Sequence, residues 1–170
     1  RPRLCIVPRH PQRFDEVAAG VREAGLSLSR RSAWPDGLPD AQAQAAEVWL
    51  GDSMGEMPAY YAAARVALLG GSFAPLGGQN LIEAAACACP VVMGPSTFNF
   101  AEAAELSEQA GAALRVTDWR EGVAQAVQLC EPAQHVPMAQ RALDFAQAHR
   151  GAAKTMAEAI VSVARKSVQD

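Results

Sequence analysis

Apolar residues in this chain recur in two alternating patterns. One is a short, unbroken run: Arg3-Leu4-Cys5-Ile6-Val7-Pro8, Glu47-Val48-Trp49-Leu50, Val66-Ala67-Leu68-Leu69 and Pro90-Val91-Val92-Met93. Runs of this length, without a polar residue at every second position, predict strands buried on both faces. Leu26 to Arg31 alternates Leu, Ser and Arg and adds a further strand; Ala112 to Val116 adds another. The second pattern has helical spacing. Gln12 to Ala24 places Phe14, Val17, Ala18 and Val21 on one face, and Gly25 follows as a C-terminal stop. Strands and helices alternate throughout, which predicts an α/β fold with a parallel sheet and helices on both faces.

Polar residues mark where the helices begin. Ser53 with Glu56 has the spacing of a capping box and predicts a helix through Ala64. Asn80 predicts the cap of a helix from Leu81 to Cys87, with Glu83 three residues on. Asn99 with Glu102 and Asp118 with Glu121 repeat the device, the latter for a helix to Leu129. Ala33 to Pro39 reads as a loop by its turn residues. Two more helices, Pro132 to His149 and Ala152 to Ser167, close the chain. In the last one Met156, Ile160 and Val163 share a face suited to packing on protein.

Length and composition narrow the picture. The chain has 170 residues, 50% of them apolar, and a net charge of −3, so residues 1–170 are expected to form a single folded domain. Its 15 basic and 18 acidic residues nearly balance, which excludes a nucleic-acid binder driven by bulk charge. No run approaches the ~20 apolar residues of a membrane span. The first residues lack the apolar core of a signal peptide. A start without Met that runs at once into a strand reads as a piece of a longer protein. Cys5, Cys87, Cys89 and Cys130 show no metal-type pairing, and Cys87 and Cys89, two apart, have no nearby His to complete a zinc set. No metal is therefore expected, and the thiols read as small buried hydrophobes.

In a parallel sheet, ligands sit beyond the C-terminal ends of the strands, and the most distinctive loops of this chain fall there. Gly70 to Glu83 carries paired glycines from a strand to a helix start. There a ligand can approach the backbone closely, and free N–H groups favour an anion. The loop matches neither a dinucleotide fingerprint nor a P-loop and has no Lys for a β- or γ-phosphate. A mono- or diphosphate held by backbone amides suits it; a purely structural glycine turn is the alternative. Glu83 has two readings, a capping partner of Asn80 or an acceptor for a ribose diol. Glu56 behind Ser53 has the same two. Pro8-Arg9-His10-Pro11 follows the first strand, and Arg9 there is either a clamp on a phosphate or carboxylate or a solvated cation. His10 has no nucleophile partner, and His135 and His149 read as surface residues. No paired carboxylate, G-x-S-x-G or H-E-x-x-H pattern is present. These residues describe a binding site without an acid–base pair.

Taken together and in order, Pro8 to Phe14, Gly51 to Met57, Gly70 to Glu83 and Gly94 to Phe100 resemble the C-terminal half of bacterial 3-deoxy-D-manno-octulosonate (Kdo) transferases. The resemblance is close over residues 4 to 116 and loose in the helical tail. It implies the Rossmann-like C-terminal domain of a two-domain GT-B glycosyltransferase. That domain binds the donor CMP-Kdo, while an N-terminal domain outside this chain holds the lipid A precursor (lipid IVA) and supplies the catalytic base. The implied reaction is Kdo transfer in lipopolysaccharide synthesis, inverting and without metal or cofactor. Its implied place is the cytoplasmic face of the bacterial inner membrane, reached peripherally or through the N-terminal part. No catalytic residue is expected within the chain itself.

Carried onto this sequence, the resemblance puts Pro8 and Arg9 beside the cytosine and phosphate. Met54, Gly55 and Glu56 give backbone contacts to the nucleotide. Gly77, Gly78, Gln79, Asn80 and Leu81 offer the phosphate a glycine turn and a helix start, and Glu83 binds the ribose hydroxyls. Ser96 and Asn99 are further donor-site candidates. The family has His where Gln79 and Ser96 stand, so a neutral amide and a hydroxyl replace imidazoles here. The chain starts at what resembles the second strand of the domain, so a first βα unit is expected ahead of it. Two alternatives remain: a GT-B enzyme using a UDP-sugar, and a non-catalytic interaction domain. Nucleotide base preference separates the first, and failure to bind any nucleotide marks the second. Apolar surface that absent parts would have covered predicts self-association.

Overall fold

The computed structural model describes residues 3–149, so the predicted helix Ala152 to Ser167 lies outside the described residues, with its Met156, Ile160 and Val163. The chain divides into two compact units, one up to Tyr60 and the other from Tyr61 onward.

The first unit contains β1 (Leu4–Ile6), a 3-10 turn at Pro11–Arg13, α1 (Phe14–Glu23), β2 (Leu28–Arg30), α2 (Ala41–Ala45) and β3 (Val48–Leu50). Its three strands are parallel in the order β1-β3-β2, with Ile6 and Arg30 both opposite Leu50. The middle strand is the buried one. Val48 and Leu50 are closed off from solvent, and α1 packs on β2 and β3 through its buried residues Ala18 and Val21. Gly25 stops this helix as predicted, in the left-handed region at φ 74°. β1 departs from the expectation of a buried strand: it is the edge of its sheet and Leu4 is 53% exposed. An apolar run fixes that a segment is a strand, but burial on both faces also needs neighbours on both sides. The sequence pattern also missed α2, whose five residues carry no apolar repeat. Asp40 starts it, its Oδ1 accepting the Ala43 N–H at 2.8 Å.

α3 (Met57–Ala63) straddles the division. The second unit continues with β4 (Ala67–Leu69), α4 (Leu81–Ala86), β5 (Val91–Met93), α5 (Ala101–Gln109), β6 (Ala113–Arg115), α6 (Trp119–Leu129) and α7 (Pro132–His149). Its sheet is parallel in the order β4-β5-β6, and Leu69, Met93 and Arg115 stand in register. All three residues of β5 are buried. Val92, Val116, Leu129 and Met138 form a core against which Val66, Phe73, Leu114 and Ala126 pack. α7 lies along α4 and α6 and buries Met138, Ala142, Phe145 and Ala146. Leu68 on the edge strand β4 is exposed, where the sequence predicted burial.

The helix starts split. Asp118 caps α6 as expected, its Oδ1 accepting from the Arg120 and Glu121 N–H groups at 2.8 and 2.9 Å. Asn80 caps α4 through the Ile82 N–H at 3.1 Å. The Ser53–Glu56 capping box does not form: α3 begins at Met57, and the Ser53 hydroxyl bonds the Glu56 carboxylate rather than a helix N–H. Asn99 with Glu102 fails too, since the N-cap of α5 is Phe100 without a side-chain bond. Both side chains are engaged elsewhere, with consequences below. Of the cysteines only Cys89 is fully buried; Cys5 is exposed on β1, against the expectation of buried thiols. The fold is thus the predicted parallel, Rossmann-like α/β arrangement, with its strands gathered in two three-stranded sheets.

Candidate functional site

Because each sheet is parallel, its three following loops leave from one edge. In the first unit these are 7–11 after β1, 31–33 after β2 and 51–56 after β3. Charge holds the second and third of these together. Arg31 Nη2 donates to Glu56 Oε1 at 2.6 Å, and the Ser53 hydroxyl, itself 2.7 Å from the Tyr60 hydroxyl, donates to the other Glu56 oxygen. The Ser53 bond first, and then the Arg31 charge, keep the Glu56 carboxyl below its ordinary range. One residue from this network, the Asp52 carboxylate is almost sealed, at 4% exposure. It accepts from the Ser32 N–H and hydroxyl at 2.8 and 2.7 Å, with Arg30 Nε 3.8 Å away. Gly51 allows the close packing: a Cβ there would come within 2.8 Å of the Tyr60 ring and 2.9 Å of Val7.

Pro8, Arg9, Met54, Gly55 and Glu56 are therefore gathered at the C-terminal edge of the first sheet. Arg9 and Met54 are exposed, and Arg9 has no hydrogen bond or ion pair among the described residues. Glu56 is committed to Ser53 and Arg31, so it works as the anchor of the 53–56 turn. Arg31, Ser32 and Asp52 were not picked out from the sequence. Nothing in the local pattern distinguishes them from solvated residues at a strand end.

The second unit builds the same edge from loops 70–80 after β4, 94–100 after β5 and the residues after β6. Here neutral groups do the holding. Ser72 is fully buried and ties two strands, its Oγ donating to Leu69 O at 2.5 Å and accepting the Gly94 N–H at 2.7 Å. The Ser96 N–H donates to Ser72 O at 3.0 Å, and the Ser96 hydroxyl accepts the Gly77 N–H at 3.1 Å. Asn99 closes the other side. Its N–H donates to Gly77 O at 3.1 Å and its Nδ2 to Leu76 O at 3.0 Å. Gly77 and Gly78 both sit at φ 78°, in the left-handed region. A Cβ on Gly77 would overlap the Asn99 amide and lie 2.6 Å from the Phe98 ring; one on Gly78 would lie 3.3 Å from Ser96 O. Glycine is required twice over, by backbone angle and by contact.

Gly77, Gly78, Gln79, Asn80, Leu81, Glu83, Ser96 and Asn99 thus fall on this second edge. Gln79 covers Gly71, and the Leu81 side chain is buried in the core, leaving only its backbone to the loop. Asn80 uses its oxygen on the Ile82 N–H and its Nδ2 on Glu83 Oε1, at 3.0 Å. Glu83 therefore grips the cap side chain instead of the helix backbone and stays exposed. Ser72 was missed in the sequence; a hydroxyl just after a strand gives no sign of bridging two loops. Among the described residues no group of three His, Cys, Asp or Glu side chains could hold a metal, and no helix is long and apolar enough to cross a membrane.

No family model matches the chain. It is 52% identical over 161 residues to the 3-deoxy-D-manno-octulosonic acid transferase of Bordetella pertussis, covering 94% of this chain and 37% of that protein. With the enzyme of the same name from Haemophilus influenzae it shares 37% over 125 residues, 74% of this chain and 28% of the relative. The chain thus spans about a third of the length of these curated relatives. Among solved structures it matches the C-terminal CMP-Kdo binding domain of WaaA from Acinetobacter baumannii. The TM-score there is 0.74 at 33% identity, over 84% of this chain and 72% of that one. On a shared fold, a third of the residues in common and most of that domain covered, the chain belongs to the 3-deoxy-D-manno-octulosonic acid transferase family.

Proposed function

We propose that residues 1–170 act as the donor-binding part of a Kdo transferase, holding CMP-Kdo while the rest of the protein presents the lipid A precursor. The observation that carries the reading is the Gly77–Gly78 turn, a left-handed pair locked between Ser96 and Asn99 at the C-terminal edge of β4 and β5, in a chain of this family. Such a turn lets a phosphate reach the backbone. The absence of a P-loop Lys suits CMP, a monophosphate leaving group, better than a nucleoside triphosphate. Pro8 and Arg9 face the cytosine and phosphate in this reading. Met54, Gly55 and Glu56 offer the nucleotide the turn that Arg31 steadies, and Glu83 takes the ribose hydroxyls with the oxygen Asn80 leaves free. Gln79 and Ser96 act as neutral donors or acceptors, and Asn80 and Leu81 contribute backbone.

In the proposed reaction the acceptor hydroxyl attacks the anomeric carbon of Kdo and forms the new C–O bond. The bond to the CMP phosphate breaks with its electron pair leaving on CMP, and the hydroxyl proton passes to a base outside this chain. The configuration inverts, and fixed N–H dipoles stabilise the charge growing on the phosphate. The chain's residues supply binding and orientation in this scheme without a metal. The site of action is the cytoplasmic face of the inner membrane, where the lipid acceptor is.

Calorimetric titration with CMP, and with UMP and UDP as comparators, tests the reading. CMP-selective binding weakened about tenfold or more by Glu83→Ala is expected, the loss of a charged acceptor for two hydroxyls. A preference for UDP would assign the site to a different donor. Silence toward CMP in both this chain and the complete protein would overturn the proposal.

A further inference from the structure

The glycine turn is held by the 94–99 loop, so whatever fixes that loop fixes the turn. Among the described residues one charged side chain hydrogen-bonds to it. Arg115 ends β6 in register with Met93, the residue before the loop begins. Its side chain is 26% exposed. Nη1 donates to Thr97 Oγ1 at 3.0 Å and Nε to Glu108 Oε2 at 3.0 Å. Thr97 opens the 3-10 turn Phe98–Phe100 and accepts the Phe100 N–H on its main-chain oxygen at 2.8 Å; Glu108 lies near the end of α5, which follows directly. One guanidinium therefore ties both ends of the 97–108 segment to the sheet, in the forked geometry that Arg allows and Lys does not. Thr97 also borders Gly78, where a Cβ would lie 3.5 Å from the Thr97 Cα. Its neighbour Ser96 takes the Gly77 N–H.

We propose that Arg115 is a positioning residue for the donor site: by holding Thr97 it sets the 94–99 loop against Gly77 and Gly78, and so keeps the glycine turn in its binding shape. Its charge is already balanced by Glu108, so it acts through the loop and does not touch the ligand. The consequence for affinity rests on the reading of this turn as the nucleotide site. The structural half does not, and the two are tested apart.

Amide hydrogen exchange on the 170-residue chain without ligand reads the first half. Arg115→Ala is expected to speed exchange at Gly77 and Asn99 on the order of tenfold, the effect of losing the bond that holds Thr97 together with the one to Glu108, with the global melting transition retained. Thr97→Val, which breaks the Thr97 link and leaves the Arg115–Glu108 pair intact, should speed it as well, and the double variant should not exceed Arg115→Ala, because removing the guanidinium already breaks the Thr97 link. Arg115→Lys should restore only part of the protection. Titration with CMP reads the second half: Arg115→Ala and Thr97→Val should weaken binding by similar factors, about three- to tenfold. Unchanged exchange in both single variants overturns the proposal. So does CMP affinity lost in Arg115→Ala while exchange and the Thr97→Val affinity stay at wild-type values, since Arg115 would then contact the ligand directly. Exchange that responds as expected in a chain and complete protein that bind no CMP leaves the positioning role standing and removes the nucleotide reading alone.

Discussion

The two units of this chain solve one problem with different chemistry. Each has three parallel strands whose loops leave from a common edge, and each must hold those loops without the ladder that holds the strands. In the first unit the fastening is ionic: Glu56 gathers Ser53 and Arg31, and Asp52 gathers Ser32 and Arg30. In the second it is mostly neutral and closely packed, through the buried Ser72 hydroxyl, the Ser96 and Asn99 side chains and two left-handed glycines. The Arg31–Glu56 pair is partly exposed, so water and salt moderate its cost and its strength, while the almost sealed Asp52 carboxylate is held by two hydrogen bonds from Ser32. A buried hydroxyl suits a sealed joint, where its bonds are strong only if every partner is present. The first edge should therefore respond to pH, and the second to small changes of shape.

The glycines should separate the two most sharply. Gly77→Ala forces a left-handed residue worth about 1–2 kcal/mol of strain and pushes into Asn99 and Phe98. A total loss of roughly 2–4 kcal/mol is expected, measured by chemical denaturation, together with at least about tenfold weaker CMP binding. Gly51→Ala meets only the Tyr60 and Val7 side chains, at ordinary backbone angles, and should cost about 1–2 kcal/mol. A larger loss from Gly51→Ala would invert the comparison.

Ser72→Ala comes next. It strands the buried Gly94 N–H and should destabilise the second unit by about 1–3 kcal/mol, with faster exchange at Gly94 and no added dependence on pH. Equal destabilisation by Ser53→Ala, whose partners are half-buried and can turn to water, would show that burial is not what distinguishes the joints.

The ionic edge predicts a pH effect of definite sign. Folding lowers the Glu56 carboxyl from its ordinary 4.5, through the Ser53 hydrogen bond and then the Arg31 charge. The folded state therefore binds this proton less readily than the unfolded one. The stability so contributed is present above about pH 4.5 and is lost as pH falls through the lower folded value. Urea midpoints followed from pH 7 down to 3 should show Glu56→Gln flattening that decline. A slope identical to the parent's would remove Glu56 from the account.

The smallest effect expected is association. Leu4 and Leu68 are exposed on β1 and β4, strands paired on one side only among the described residues, and apolar side chains beside an open strand edge make a surface prone to strand pairing. Light scattering should detect weak, concentration-dependent self-association reduced by Leu4→Lys; a monomer at all concentrations contradicts it.

By itself the sequence determined the elements and their kind. Unbroken apolar runs made Val48–Leu50 and Val91–Met93 buried strands, the helical repeat of Phe14, Val17, Ala18 and Val21 with Gly25 made α1, and Asn80 and Asp118 started the helices they precede. The paired glycines at 77 and 78 were visible too, because left-handed backbone leaves glycine in the chain as its mark. These features are local, set by a residue and its near neighbours. Tertiary structure decided the rest. Burial of β1 and β4 depended on which strand became an edge, and an apolar run carries no record of that. Ser53 and Asn99 have the spacing of helix caps, yet neither caps: the Ser53 hydroxyl bonds the Glu56 carboxylate, which Arg31 holds from 25 residues away, and Asn99 bonds Leu76 O, 23 residues back. Ser72, Thr97, Asp52 and Arg115 looked like ordinary polar residues at strand ends. What each of them holds is separated from it in sequence, by 22 residues between Ser72 and Gly94 and 18 between Thr97 and Arg115, and only the parallel register brings those partners within a hydrogen bond.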